Sequence, residues 1–334
     1  MCWTWPRSSG RERREEGFPL YYALKRLAVF AFTMFLVSFL SFTAFTVISG
    51  NPAQVMLGTD ATPERLTALE EELGLNRPLP LRYGEWLAGF FTGNLGQSLS
   101  YRQGVGELLG GKIAVTLCLS GMSFLLIVLA SFPLALLSVR WTSGPLDGIH
   151  TVVNQLCMAV PSFFTGILLS WVFGIALQWF TPGAFPGLDH FGDALRCLFF
   201  AAVSLAIPRI AMTVRMLRGT ILSELQKDYV RTAISRGSGW GEVLRRHVLK
   251  NALTPVVAFL AQTMAEILAG SIVIEQVFGI PGLGRMMVVS ISNRDYPVVQ
   301  AIVVMLAFWV VAADTAADLL NARIDPRLRL GEAA

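Results

Sequence analysis

Three stretches of the chain, residues 27–48, 113–139 and 151–188, contain no charged residue at all. A helix rises about 1.5 Å per residue, so about 20 apolar residues cross the ~30 Å hydrocarbon layer of a bilayer, and each run exceeds that length. Three further segments read as spans interrupted by charge: residues 195–214 with Arg209, 252–274 with Glu266, and 297–320 with Asp314 and Asp318. In hydrocarbon the backbone must satisfy its own hydrogen bonds, which a helix does and an open strand does not. The pattern predicts an all-α membrane protein with six transmembrane helices. Composition points the same way, with 54% hydrophobic and 15% charged residues against about 25% charged in soluble domains.

Lysine and arginine set the orientation. With six spans and a cytoplasmic N-terminus, nineteen of them fall on the inside and eight on the outside, so both termini are expected in the cytoplasm. The chain then divides into a cytoplasmic tail (1–26), a first span (27–48), an external loop region (49–112), a core of five spans (113–320) containing a cytoplasmic loop (215–251), and a cytoplasmic tail (321–334). The basic residues lie against spans and lack the aromatic interleaving of a base-stacking surface, so the partner they suit is the bilayer and not nucleic acid. The run at 27–48 is longer than the apolar core of a signal peptide and has no small-residue cleavage site, and it reads as a retained span. Cys2, Cys118, Cys157 and Cys197 show no metal or redox spacing and are expected as small core residues, with no metal site.

Within the external loop, Thr62 as N-cap, Pro63 at the first helical position, Leu66, Leu69 and Leu73 on one face and Gly74 as terminator describe a short amphipathic helix. Gly106, Gly111 and Lys112 fit part of a phosphate-binding glycine loop, but Ile113 stands where a serine or threonine must hold magnesium and a span follows. The chain is therefore expected to bind no nucleotide and to carry no catalytic residues. On the cytoplasmic side, residues 228–235 are good helix formers, and Gly237 sits where a left-handed cap would end them. Val243, Leu244, His247 and Val248 then recur at helical spacing, with Arg245, Arg246 and Lys250 between them. Two short helices joined by a glycine turn make a compact basic knob.

Charges inside spans are functional suspects. Counted from the ends of their runs, Arg209 and Glu266 differ by roughly 10 Å in depth, which predicts that Arg209 snorkels to the cytoplasm and that Glu266 faces a polar path. Near the C-terminus, Pro281, Gly282 and Gly284 suggest a re-entrant bend.

The segment 228–255 resembles the coupling loop of permease subunits of binding-protein-dependent ABC importers. That family has Glu-Ala-Ala, three residues, Gly, nine residues, Ile, one residue, Leu-Pro. Here Arg231, Thr232 and Ala233 fill the first places, Gly237 falls on the glycine, and His247, Leu249 and Lys250 take the last. These departures, together with Asp228, Tyr229, Asn251 and Pro255, are the variant typical of the dipeptide, oligopeptide and nickel branch. Two more regions are similar to the family. One is Gly50-Asn51-Pro52-Ala53, Leu73-Gly74-Leu75-Asn76-Arg77-Pro78-Leu79, Trp86 and Gly93-Asn94-Leu95-Gly96-Gln97-Ser98, with Asn51 and Asn94 in place of the more usual aspartates. The other is Glu275, Phe278, Pro281-Gly282-Leu283-Gly284, Arg294-Asp295-Tyr296-Pro297, Gln300, Asp318-Leu319-Leu320 and Asp325-Pro326-Arg327.

The resemblance implies a type I ABC importer permease fold in the bacterial inner membrane. It also implies a second related permease, two cytoplasmic ATP-binding subunits that hold ATP and magnesium, and an external solute-binding protein; this chain would bind no cofactor. The residues implied to couple to the ATPase are Asp228, Tyr229, Arg231, Thr232, Ala233, Gly237, His247 and Asn251. The translocation pathway is expected along Gln262, Glu266, Glu275, Pro281, Gly282 and Gly284. No histidine or cysteine–histidine cluster lies in the spans, so di- or oligopeptide import is the first reading and nickel or another chelated metal the second. An ion-coupled carrier using Glu266, Asp314 or Asp318, or a non-transporting membrane scaffold, would be the alternatives from other classes.

Overall fold

A computed structural model describes residues 20–324 apart from 50, 58–60, 73, 143 and 188. The N-terminal tail before Leu20, Gly50, Leu73 and the Asp325-Pro326-Arg327 motif lie outside the described residues. Among those that are described no strand forms, and one isolated bridge joins Gln97 to Gly104.

The order is α1 (Leu20–Ser49), α2 (Pro52–Leu57), α3 (Pro63–Glu72), α4 (Leu79–Thr92), α5 (Val105–Arg140), α6 (Pro145–Ala159) and α7 (Ser162–Leu169), the last continuing as a π-turn segment over Ser170–Ala176. Then come α8 (Phe191–Leu225), α9 (Asp228–Ser235), α10 (Trp240–Val243), a second π segment (Leu244–Val248), α11 (Leu249–Phe278), α12 (Leu283–Ser292) and α13 (Tyr296–Ile324). Five stretches are long and apolar enough to cross a membrane: Ala23–Ile48, Val105–Arg140, Gly192–Leu225, Trp240–Phe278 and Tyr296–Ala322. The bent pair Pro145–Ala159 and Ser162–Ala176 passes the same test only when its two halves are taken together, and it makes a sixth where it is one broken span and not a re-entrant loop. Helix α5 begins at Val105, so residues 105–112, expected in the external loop, are already helical and hold the glycines of the dismissed phosphate loop.

The longest charge-free run is not one straight span. It breaks at Val160 and Pro161, and its halves meet at 93°. Val160 is extended (φ −80°, ψ 121°) because the ring of the following proline disfavours the helical region for the residue before it. Pro133, Pro208 and Pro255 stay inside helices α5, α8 and α11.

Helix α8 is the centre of the bundle. Two thirds of its most apolar window is buried, against 17% for α1, and it packs on α5, α6, α7 and α11. Small residues permit close approach along α7: Gly166, Ser170 and Gly174 recur every fourth position, a methyl group at Gly166 would stand 3.0 Å from Ile274 of α11 and 3.5 Å from Ser204 of α8, and one at Gly174 would stand 2.4 Å from Pro182. This is the small-residue packing of helices in lipid, where contact and not water exclusion drives association.

At one end of the bundle the external region covers α1. Thr62 caps α3 as expected, with the Leu66 N–H bonded to its carbonyl at 2.9 Å and Gly74 left-handed at φ +65° beyond the helix end. Helix α4 lays Tyr83 and Trp86 on Phe35, Phe39 and Phe42 of α1, and the hydroxyls of Tyr83 and Ser38 meet at 2.8 Å. At the opposite end, Arg26 of α1 and Asp318 of α13 pair at 2.9 Å.

Candidate functional site

The knob is built around Gly237. Its φ of +86° is left-handed, its N–H bonds the Ile234 carbonyl at 2.9 Å, and the Ser238 N–H bonds the Ala233 carbonyl at 3.2 Å. That double bond is the Schellman arrangement, in which a glycine past the helix end satisfies the last carbonyls. Helix α9 thus stops after eight residues. The second part of the knob departs from the expected separate helix. From Trp240 the chain runs without a break through the π segment into α11, a 39-residue helical unit ending at Phe278. The knob is therefore one short helix set against the end of a span.

Two kinds of contact hold it. Val230, 2% exposed, packs with Val243, Val248 and Ala252, with Leu217 and Ile221 of α8, and with Val139 of α5. Beside this core the Tyr229 hydroxyl donates to a Glu224 carboxylate oxygen at 2.7 Å and accepts from Asn251 Nδ2 at 3.3 Å, joining the end of α8 to α9 and to the first turn of α11. Burial first, and then the bond to the Glu224 carboxylate, hold the Tyr229 phenol above its ordinary pKa, so it stays a donor at neutral pH. The free face carries Asp228, Arg231, Thr232, Ser235 and Arg236, and two large apolar groups, Ile234 and Trp240, about half exposed. Exposed apolar groups rimmed by charge mark a docking surface.

Midway along the bundle Arg209 of α8 and Glu266 of α11 form a direct ion pair. This corrects the expectation that Arg209 snorkels alone. The depth count started from the ends of the uncharged runs, but α8 is 35 residues long and the α11 unit 39, both longer than the bilayer core, so the two helix ends do not mark a common plane. Around Glu266 one face of α11 is open: Asn251, Gln262, Ala269, Val273 and Gln276 are exposed at helical spacing, with Glu266 half-buried among them. Polar and small residues on one stripe of an apolar span suit a water path or a partner helix and not lipid.

Glu275 has a different place from the one expected. It is fully buried, so it lines no open surface of this chain. Its carboxylate accepts from Thr116 Oγ1 at 2.6 Å and from the Arg285 N–H at 2.9 Å. Thr116 Oγ1 in turn accepts the Leu283 N–H at 2.8 Å. The first N–H groups of α12, which have no partner within their own helix, are thereby capped by a carboxylate from α11 and a hydroxyl from α5. Gly282 and Gly284, also assigned to the pathway, are buried because they let the backbone approach: a methyl at Gly282 would lie 2.3 Å from the Glu275 carboxyl carbon, and one at Gly284 2.4 Å from Ile272 Cα. Pro281 is exposed.

A parallel arrangement pins the loop before α5. Asp295, fully buried, accepts from Ser98 Oγ and from the N–H groups of Leu99 at 3.1 Å and Ser100 at 3.3 Å. Two segments far apart in the chain are thus tied at the same end of the bundle, the end away from the knob.

Residues 127–330 match the family described as the inner membrane component of binding-protein-dependent transport systems, and residues 20–120 match the N-terminal part of that membrane component. The chain belongs to this family. The permease is 32% identical over 310 residues to a probable peptide ABC transporter permease of Sinorhizobium fredii (strain NBRC 101917 / NGR234), covering 92% of this chain and 99% of that one. It is 34% identical over 307 residues to a putative peptide transport system permease of Brucella abortus (strain 2308), at 92% and 98% coverage. A dipeptide transport system permease of Alkalihalophilus pseudofirmus is 29% identical over 331 residues, at 93% and 99% coverage. The permease is a multi-pass inner membrane protein with the all-helical type I fold, and it is a transport subunit, not an enzyme.

Of the coupling residues expected from sequence, Asp228, Arg231, Thr232 and Gly237 lie on the exposed side of the knob, while Tyr229 and Ala233 turn toward its core. Asn251 joins them through Tyr229, and His247 sits half-buried in the π segment beneath. Glu224, Ile234 and Trp240 were missed. Ile234 and Trp240 had a signal, since they interrupt an otherwise polar face, whereas Glu224 closes a helix of ordinary polarity and is significant only through its contacts.

Proposed function

We propose that this permease forms one half of a membrane pathway for di- or oligopeptides, driven by ATP hydrolysis in cytoplasmic subunits that dock on the α9 knob. Its partners in this reading are a second related permease, two ATP-binding subunits that carry the ATP and magnesium, and an external solute-binding protein. The knob and both termini lie in the cytoplasm.

The observation that carries the reading is the attachment of α9. A docking helix with exposed Ile234, beside the exposed Trp240 that opens α10, is clamped through Val230 and Tyr229 to the cytoplasmic ends of α8 and α11. When the ATPase groove moves, α9 moves with it, and the unbroken helix from Trp240 carries that displacement along α11. The face bearing Gln262, Glu266 and Gln276 then lines the path or abuts the second permease. The relatives' names support peptides as the cargo, and a peptide needs only tolerant polar groups along the way because selection rests with the external protein. Of the three carboxylates an ion-coupled carrier would use, Glu266 and Asp318 are paired with arginines, which leaves Asp314 as its relay.

Deleting the chain and measuring uptake of a labelled dipeptide, a labelled pentapeptide and radioactive nickel side by side tests the cargo. Peptide uptake is expected to fall; loss of nickel uptake alone rejects peptide import. Purification with a stable ATPase pair tests the energy source, and a complex that transports without ATP-binding subunits rejects it.

A further inference from the structure

At the end of the bundle opposite the knob, a cavity of about 330 Å³ opens between the end of α1, helix α3, the start of α4 and the first turn of α13. Phe42 and Phe45 contribute apolar wall, and its polar lining is Asn51, Glu70, Asn76, Arg82, Tyr296 and Gln300. Two opposite charges face this space without meeting: Arg82 forms no ion pair among the described residues, and the Glu70 carboxylate takes a hydrogen bond from Asn51. Gln300, 7% exposed, closes part of the wall with its side-chain nitrogen buried beneath the surface.

We propose that this cavity binds a small zwitterion, a free amino acid or a dipeptide. The ligand's carboxylate sits on the Arg82 guanidinium, and its ammonium sits on Glu70. A guanidinium presents paired donors that match a carboxylate. An unpaired cation and a carboxylate in one cavity complement a molecule that carries both charges at its ends. The volume is at the lower end for ligand pockets and suits a short zwitterion better than a long peptide. None of the lining residues is on α11, so this site is additional to the face assigned to the path. The identity of the ligand as an amino acid or dipeptide rests on the peptide-import reading.

The test uses the full chain, purified with the subunits that accompany it and reconstituted in nanodiscs without any external binding protein. Equilibrium binding of radiolabelled alanyl-alanine and alanine is measured, with N-acetylated and C-amidated alanyl-alanine as competitors. Saturable binding is expected, weakened roughly tenfold by Arg82→Gln, by Glu70→Gln or by blocking either ligand terminus, the loss of one hydrogen bond to a charged group. No saturable binding in the millimolar range overturns the proposal. So does binding that ignores both substitutions, or competition by the blocked peptides as strong as by the free one. The blocked ligands act on the unaltered protein, so misfolding of a variant does not obscure the outcome. Cells that import peptides while the nanodiscs bind no zwitterion leave the transport function standing and remove this site. Binding that follows Arg82 in a chain whose deletion spares peptide uptake does the reverse.

Discussion

Replacing Glu275 with alanine is expected to loosen the start of α12 and its junction with α5 and α11. The substitution removes the acceptor for the Thr116 hydroxyl and for the Arg285 N–H. Each buried donor left without a partner costs about 1–3 kcal/mol, so with some relaxation the total is about 3–5 kcal/mol. Glu275→Gln keeps the volume and one oxygen, and is expected to cost about 1–3 kcal/mol. At about 2 °C per kcal/mol, the apparent melting temperature in detergent falls by about 6–10 °C for alanine and less for glutamine. Gly282→Ala supplies the internal control. Its methyl would stand 2.3 Å from the Glu275 carboxyl carbon, so it destabilises alone but adds little in the Glu275→Ala background, because coupled neighbours are not additive. Melting temperatures of the three single variants and the double variant, followed by size-exclusion chromatography after heating, check this. Alanine and glutamine variants that both melt with the wild type, or a Gly282→Ala effect of full size in the absence of the carboxylate, would refute the capping role.

Three further outcomes are expected. Gly237→Val forces a β-branched residue to φ +86° at roughly 1–2 kcal/mol, and since nothing lies within 4 Å of the added carbon the cost is backbone alone. Uptake and substrate-stimulated ATPase activity should drop in a protein that still inserts, while Gly237→Asn, whose side chain tolerates that conformation, should be milder; unchanged activity in the valine variant removes the knob from coupling. Arg209→Met should lower the melting temperature more than the double change Arg209→Met with Glu266→Met, because a single change strands a charge in the span; equal losses would show that the pair is not coupled. In a cysteine-free background, single cysteines at Ser235 and Glu64 should react with an impermeant thiol reagent from opposite sides of the membrane, and labelling of both from outside intact cells overturns the orientation.

What could be read in the chain itself was whatever depends on local free energy. A charge-free run is apolar wherever it folds, so the span at 27–48 was legible to within four residues and the inner end of that at 113–139 to within one, while the latter's helix starts eight residues earlier, among polar and glycine residues. Gly237 was legible because only a left-handed residue ends a helix there, and Thr62 with Pro63 because capping involves a single turn. Contacts between distant positions were not legible. Pro133, Pro208, Pro255 and Pro161 all interrupt apolar stretches, and nothing in their flanks announces that Pro161 alone parts two helices at 93° while the others are absorbed. A proline is tolerated inside a span where its surroundings accommodate the freed carbonyl, and those surroundings come from elsewhere in the chain. The same holds for Glu275, whose hydroxyl partner is 159 positions away, and for Asp295, whose serine is 197 away. Solvation energy acts residue by residue and is written along the sequence. A buried carboxylate becomes a cap, and an arginine in a span finds its glutamate, only when packing brings the second group to within hydrogen-bond reach.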